Sequence, residues 1–335
     1  MELSVILISK NQAWNMDRLI KSVLKNAGFI SSKEIVLVDS ASTDGTAKVA
    51  SRHPIKVLRL RPDQHLTPAA GRYTGYQHTT GDLVLFLDGD MELCQGWLEE
   101  AAQIFKDKPD VAMITGQVID LPKSAKSEGI PPVPEVDQVE FTEIPYAGGA
   151  SMYRRSVLEE IGTFNPFLYS DEEPDVCIRL GYAGYRALRL HCPMVFHYTD
   201  PPGGLSTLVG RWRRNLYLGA GQNLRYHLGT GVFWPYYKER AYGIIPGLGL
   251  LAGLFSFLWL MSTGQKTWFN LWLLAFFALI VGDAIRKRSL YKTVASLLER
   301  MFILDGTIRG FLLKPMKPET YPVEVDVVKP LSKGS

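Results

Sequence analysis

Between Ala241 and Ser262 the chain carries no charged side chain, and this stretch limits the possible folds more than any other. It is rich in Leu, Gly and Phe, and at about 1.5 Å per residue it is long enough to cross a hydrocarbon core of about 30 Å as a helix. A second apolar run goes from Trp268 to Gly282, meets Asp283 and closes with Ala284 and Ile285. Its uncharged core is short, so a span there requires tilt or local thinning of the bilayer. Buried core helices are the alternative for both runs. Arg225, Lys238 and Arg240 precede the pair, Arg286, Lys287, Arg288 and Lys292 follow it, and only Lys266 lies in the connection. By the positive-inside rule, both hairpin ends and the large N-terminal region face the cytoplasm. The expectation is an integral membrane protein.

The first apolar strand, Leu3 to Ile8, is cut by Lys10 and Asn11 too early for a cleavable signal. Cys94, Cys177 and Cys192 are widely spaced, without metal-ligand or disulfide spacing, and are read as reduced thiols. A formal charge of +3 gives no reason to expect a nucleic-acid partner. The 335 residues suffice for one domain of more than 200 residues plus an appendage.

The first hundred residues alternate short β-rich runs with helical patterns. Strands are expected at Leu3 to Ile8, Glu34 to Val38, Ile55 to Leu60 and Leu83 to Leu87. Helices are expected from Trp14 to Ala27, through Ala50 after a capping turn at Ser42 to Gly45, and around Arg72 to His78. Repeated βα units imply an α/β fold with a mostly parallel sheet and helices on both faces. Further on, a helix is expected from Gln95 to Lys106, a strand from Val111 to Ile119, helices over Ser151 to Ile161 and Glu172 to Gly181, and a short strand from Arg186 to Leu190. The proline-rich stretch 121–139 reads as an exposed insertion, either flexible or a lid. Leu205 to Tyr226 and Ser289 to Leu313 mix basic and apolar residues as interfacial helices do. The chain therefore divides into 1–203, an interfacial segment 204–240, a hairpin 241–287, and an interfacial helix with its tail over 288–335.

Such a sheet gathers Asn11, Asp39 and Asp88 at its carboxyl edge, where α/β domains build nucleotide pockets. Leu83 to Leu87 runs straight into Asp88-Gly89-Asp90. Two acids one residue apart repel unless a cation or donors compensate, and an oxygen-rich pair suits Mg²⁺ or Mn²⁺ bridging a diphosphate. Asp39 could accept hydrogen bonds from a base or ribose, or cap the turn that follows it. Arg72 could face a phosphate or pair on a solvated helix. Gly148 and Gly149 permit close backbone approach to a sugar, or form a turn. The cluster Asp171-Glu172-Glu173-Pro174-Asp175 opens a helix, and capping explains one or two of these acids but not four, so Glu172 or Glu173 is a general-base candidate. His197 could complete a metal shell with Asp90.

In this order the motifs resemble the family 2 glycosyltransferases, in a membrane-anchored form, over about residues 3 to 200. The resemblance rests on Ser4-Val5-Ile6, Val38-Asp39 with Asp44-Gly45, Asp88-Gly89-Asp90, Gly148-Gly149, Ile161 to Asn165 and Glu172 to Leu180. It implies the GT-A fold, a Rossmann-like mixed sheet binding a nucleotide-diphospho-sugar, and inverting transfer of the sugar. Asp39 would contact the base, Asp88 the ribose or metal side and Asp90 the Mg²⁺ or Mn²⁺. Asn11, Arg72, Gly148 and Gly149 would line the donor, and His197 would join Asp88 and Asp90 at the metal. Glu173 stands where the family has its base, usually Asp; the replacement keeps a carboxylate but lengthens its reach, so Glu172 stays a rival.

Processive relatives carry Gln, two residues, Arg and Trp near the membrane. Gln222-Asn223-Leu224-Arg225-Tyr226 departs from that pattern at its last place. Transfer of one sugar to a lipid or lipid-linked acceptor is therefore expected, with Asp175, Arg211, Arg214, Gln222 and Arg225 on the acceptor or interface side. A processive polysaccharide synthase, a metal-dependent nucleotidyltransferase and a non-catalytic nucleotide-binding scaffold are the alternatives. Gly247, Gly249 and Gly253 permit close helix packing and with it a homo-oligomer.

Overall fold

The computed structural model describes residues 2–125, 140–200, 204–240 and 243–331. It separates into two units: residues 1–201 with 316–335, and residues 202–315.

The first unit is built on a ten-stranded sheet. Its strands are β1 (Leu3–Ser9), β2 (Lys33–Asp39), β3 (Lys56–Arg59), β4 (Leu83–Asp88), β5 (Met91–Leu93), β6 (Val111–Leu121), β7 (Phe141–Glu143), β8 (Ser151–Arg154), β9 (Arg186–Tyr198) and β10 (Asp326–Lys329). The order is β10-β3-β2-β1-β4-β8-β6-β9-β5, with β7 on β9. β3, β2, β1 and β4 are parallel neighbours, as the βα alternation predicts. Beyond β4 the sheet turns antiparallel at β8, so it is mixed rather than mostly parallel.

Helices α1 (Ala13–Asn26), α2 (Thr46–Ala50), α3 (Pro68–Gln77), α4 (Trp97–Asp107), α5 (Arg155–Ile161) and α6 (Glu172–Tyr182) cover the sheet. On one face Met16, Leu19, Ile20 and Val23 of α1 and Leu98, Ala101 and Phe105 of α4 pack on the outward side chains of β1 and β4. On the other, Tyr73 and Tyr76 of α3, Val157 and Leu158 of α5 and Val176 and Leu180 of α6 pack on Ile6, Val36 and Phe86. Each fully buried aliphatic side chain of this kind contributes roughly 1.5–3 kcal/mol before entropy is charged. Helix α3 lies unusually close to the sheet, because a Cβ at Gly75 would come within 2.3 Å of Ile6 Cγ2.

Three elements differ from the sequence expectation. Ser151 to Arg154 is a buried strand and only Arg155–Ile161 is helical, because Met152 and Tyr153 fill the sheet between β4 and β6. β9 continues to Tyr198, past Pro193, where its register with β6 shifts and the missing amide is tolerated. The tail is not wholly a cytoplasmic appendage, since Asp326–Lys329 pairs antiparallel with β3 at the sheet edge. The lid expected over 121–139 falls mostly on residues 126–139, outside the described residues.

The second unit is helical: α7 (Leu205–Arg213), α8 (Gly219–Tyr226), α9 (Phe233–Arg240), α10 (Ile244–Thr263), α11 (Thr267–Lys287) and α12 (Leu290–Leu312). α10 and α11, with 20 and 21 residues, are long and apolar enough to cross a membrane, and few of their residues are buried. They pack on each other where Trp272 covers Gly253 and donates to the Gly249 carbonyl at 2.8 Å.

Candidate active site

The ends of the parallel strands bring the acids together. Ser9 stands beside Asp39 and Ile8 beside Asp88 in register, so β1, β2 and β4 release their chains at one edge. Gly89 passes so close to β1 that a Cβ would lie 2.6 Å from Ser9 Oγ. A cavity of about 260 Å³ opens there, its lining including Ser9, Gln12, Thr67, Asp88, Asp90 and His197. A larger hollow of about 1180 Å³ lies at the opposite edge, by Asp82 and Leu83 at the start of β4, away from these converging acids.

Arg72 organises the site from beneath. It is only 1% exposed. Its Nη1 donates to Glu172 Oε1 at 2.9 Å, while its Nη2 donates to Asp88 Oδ1 and meets Glu173 Oε1, both at 2.8 Å. The expectation of a phosphate contact or a solvated pair is thus corrected, because the guanidinium is committed to three carboxylates in the interior. One positive charge does not balance three negative ones. Burial, reinforced by the Glu173 charge, pushes the Glu172 carboxyl up to about 8. Burial also raises Asp88 to about 6, against the pull of Arg72. Gly149 makes room for this cluster, since a Cβ there would lie 2.2 Å from Asp88 Oδ2, whereas Gly148 faces open space.

Asp39 is fully buried. Its Oδ2 accepts from the Ser42 amide at 3.1 Å and lies 3.6 Å from Arg59 Nε, while Oδ1 has no hydrogen-bond partner. Burial raises its pKa. Turn capping therefore occupies one oxygen and leaves the other for a ligand. Asn11, expected at the nucleotide, uses its Oδ1 to accept from the Thr43 amide at 2.9 Å, tying the loops after β1 and β2 together. Ser9 Oγ and Gln12 Oε1, also buried without partners, line the cavity and were not singled out by the sequence. Asn11, Ala41 and Asp171, at φ of 56°, 54° and 66°, place three left-handed non-glycine residues on the loops of this site. Such strain gathers where the surrounding structure holds functional geometry.

His197 sits opposite Asp120 in the β6–β9 register. Its Nδ1 is 2.8 Å from Asp120 Oδ1 and its Nε2 is 3.6 Å from Asp90 Oδ2. These carboxylates, against the opposing effect of burial, push the imidazole up to about 9. Among the described residues no group of three His, Cys, Asp or Glu side chains is placed to hold a metal ion. Asp88, expected as one ligand, is turned to Arg72. Asp90 and His197 still suit a divalent cation, because an ion bound to a diphosphate needs few protein ligands and the surplus of carboxylates around Arg72 favours positive charge.

Asp175, expected on the acceptor side, is buried instead and receives Arg179 Nε and Nη2 at 3.0 and 2.9 Å. Arg179 also donates to the carbonyls of Ile161, Gly162 and Thr163, so the pair locks α6 to the end of α5. Arg211, Arg214, Gln222 and Arg225 belong to the helical unit, where Arg225 lies 5.6 Å over the Phe311 ring and Arg214 Nε donates to the Gly210 carbonyl at 3.2 Å.

Fold and site together define an α/β protein with a carboxylate-lined ligand pocket at the carboxyl edge of its parallel strands. Residues 4–162 match Glycosyl transferase family 2, and this region is homologous to that family. The chain is 28% identical over 198 residues to the pre-mycofactocin glycosyltransferase of Mycobacterium tuberculosis, covering 55% of this chain and 40% of the relative. It is 26% identical over 219 residues to glycosyltransferase AglE of Haloferax volcanii, covering 60% and 68%. It spans only about two-fifths of the first curated relatives it matches. The mannosyltransferase PcManGT from Pyrobaculum calidifontis, solved with GDP-Man and Mn²⁺, shares the fold with a TM-score of 0.61 at 17% identity, over 93% of this chain and 87% of that one.

Proposed function

We propose that this protein is an inverting, membrane-bound glycosyltransferase of the GT-A type. It moves one sugar from a nucleotide-diphospho-sugar to a hydroxyl or phosphate of a lipid-linked acceptor. The observation that carries this reading is that Asp88, which lines the cavity together with Asp90, shares the buried Arg72 with Glu172 and Glu173, in a chain whose residues 4–162 match Glycosyl transferase family 2. The donor class is supported by PcManGT, whose ligands are GDP-Man and Mn²⁺.

In this reading Asp39 Oδ1 accepts from the base and Gly149 lets the sugar side approach Asp88. Glu173 is favoured as the base because its side chain is 15% exposed against 5% for Glu172, which lies deeper on Arg72. It takes the proton of the acceptor hydroxyl as that oxygen bonds to the anomeric carbon and the bond to the diphosphate oxygen breaks. Asp90 and His197 would hold a Mg²⁺ or Mn²⁺, which when bound neutralises the departing diphosphate. Asp120 holds the imidazole so that Nε2 faces Asp90.

The membrane reading rests on α10 and α11 and on charge. Residues 202–315 contain fourteen Lys and Arg against four Asp and Glu, and only Lys266 lies in the hairpin turn. That asymmetry favours a cytoplasmic leaflet rich in anionic lipid. A comparison of Glu173→Gln with Glu172→Gln tests the base. Transfer should fall by at least about 10²-fold in the first with the fold intact, and full turnover by Glu173→Gln would remove it from that role.

A further inference from the structure

The chain returns to the first unit after α12 as a strap, residues 317–329, that runs along the segment leading to the candidate donor pocket. Four kinds of tie hold it to the segment 57–65. Tyr321, 3% exposed, donates from its Oη to the His65 carbonyl at 3.0 Å. Gln64 Nε2 donates to the Glu324 carbonyl at 2.8 Å and to that of Pro322 at 3.3 Å. Arg61 pairs with Glu324 at 2.9 Å and Asp326 at 3.5 Å. Finally, β10 hydrogen-bonds to β3.

The segment so held leads into the site. Leu66, Thr67 and Pro68 line the cavity that Asp88 and Asp90 share. Thr67 accepts from the Ala70 amide at 3.1 Å, capping the helix that carries Arg72. The Tyr321 ring also touches both other supports of the carboxylate cluster. It packs edge-on to Tyr73 of α3 at 6.0 Å and to Phe167, on the segment leading to α6, at 5.6 Å. One side chain therefore braces the pocket loop, the arginine helix and the approach to Glu172 and Glu173.

We propose that Tyr321 is a positioning residue for the donor pocket, and that the strap sets donor affinity by fixing the loop 61–67. The inference rests on the donor reading of the cavity above. Removing one hydrogen bond should loosen the loop without moving the carboxylates, so the effect falls on donor binding rather than on the chemical step.

Two variants test this. Tyr321→Phe keeps the ring and loses the bond to His65, whereas Gln64→Ala cuts the exposed ties to Pro322 and Glu324 and leaves the core untouched. The full-length protein is titrated with UDP and with GDP in the presence of Mn²⁺, and amide exchange across residues 61–67 is followed in parallel. The expected result is faster exchange in the loop with about 3- to 10-fold weaker binding of the preferred nucleotide in both variants, in line with a single hydrogen bond, and kcat changed less than about twofold. If the wild type binds a nucleotide and both variants bind it equally well, the inference is overturned. If the wild type binds neither nucleotide, it is the donor reading that fails, and the inference fails with it.

Discussion

Replacing Arg72 by Met retains a long apolar stem and removes the charge that three carboxylates share. Breaking a buried ion pair by deleting one partner typically costs about 3–5 kcal/mol, because the other charge stays buried and unpaired. Here the loss is relieved wherever the carboxylates can take protons. Glu172 already sits at about 8 in the folded protein, against roughly 4.3 for an unperturbed Glu. A carboxyl raised in this way contributes stability that is fully present below its unfolded value and fades as pH rises through its folded value. Without Arg72 that folded value rises further, so the deficit of Arg72→Met should widen with pH. We expect the full ~3–5 kcal/mol near pH 8.5 and less than about half of it near pH 6. At roughly 2–4 °C per kcal/mol for a domain of this size, the melting point should drop by about 6–20 °C at the higher pH. Thermal unfolding in detergent with a chelator, followed from pH 6 to 9, reads this directly. Arg72→Lys should fall between, because a single ammonium nitrogen keeps the charge but cannot span the carboxylates that Nη1 and Nη2 reach separately. Equal melting of Arg72→Met and wild type at pH 8.5, or a deficit that grows toward acid pH, would refute the reasoning.

The remaining predictions concern single positions. Asp120→Asn should weaken Mn²⁺ binding by about 10- to 100-fold, since it removes the carboxylate that orients His197; titration followed by electron paramagnetic resonance checks it, and unchanged affinity removes Asp120 from the metal's support. Ala41→Gly should stabilise the first unit by about 1 kcal/mol, because Ala41 holds φ of 54° where glycine is at ease; denaturant unfolding decides the sign. Gly149→Ala should abolish nucleotide binding, because its methyl group would occupy the place of Asp88 Oδ2. Retained binding would show that Asp88 moves aside without consequence.

The parallel half of the sheet was legible because each strand is a continuous apolar run bounded by polar turns, from Leu3–Ser9 to Leu83–Asp88. Asp39 and Asp88 could be placed at the sheet edge for the same reason, since each stands at the end of such a run. What the sequence hid was pairing at a distance. Arg72 has the composition of a surface helix residue, and only the fold brings it to Asp88, 16 positions away, and Glu172, 100 away. The Asp120–His197 contact depends on the β6–β9 register, which shifts at Gly116 and Pro193, so no local spacing announces it. Ser151–Arg154 runs into a helix without a breaker, which made strand and helix read as one element. The four-residue strand at Asp326 is too short to signal itself, and its partner β3 lies more than 260 residues earlier. Asp175 was misplaced because a run of acids gives no sign of which one Arg179 will claim.

In the proposed reaction the cavity lined by Asp88 and Asp90 delivers a sugar from a nucleotide to a membrane lipid. Purified full-length protein in mixed micelles with lipid extract, offered a panel of nucleotide-diphospho-sugars with Mn²⁺, tests it by mass spectrometry of the lipid fraction. The account predicts one sugar added per lipid with inverted anomeric configuration, equimolar nucleoside diphosphate, and no product from Asp90→Asn. Release of inorganic diphosphate from nucleoside triphosphates without sugar transfer would contradict it, as would a glycolipid product that Asp90→Asn makes equally well.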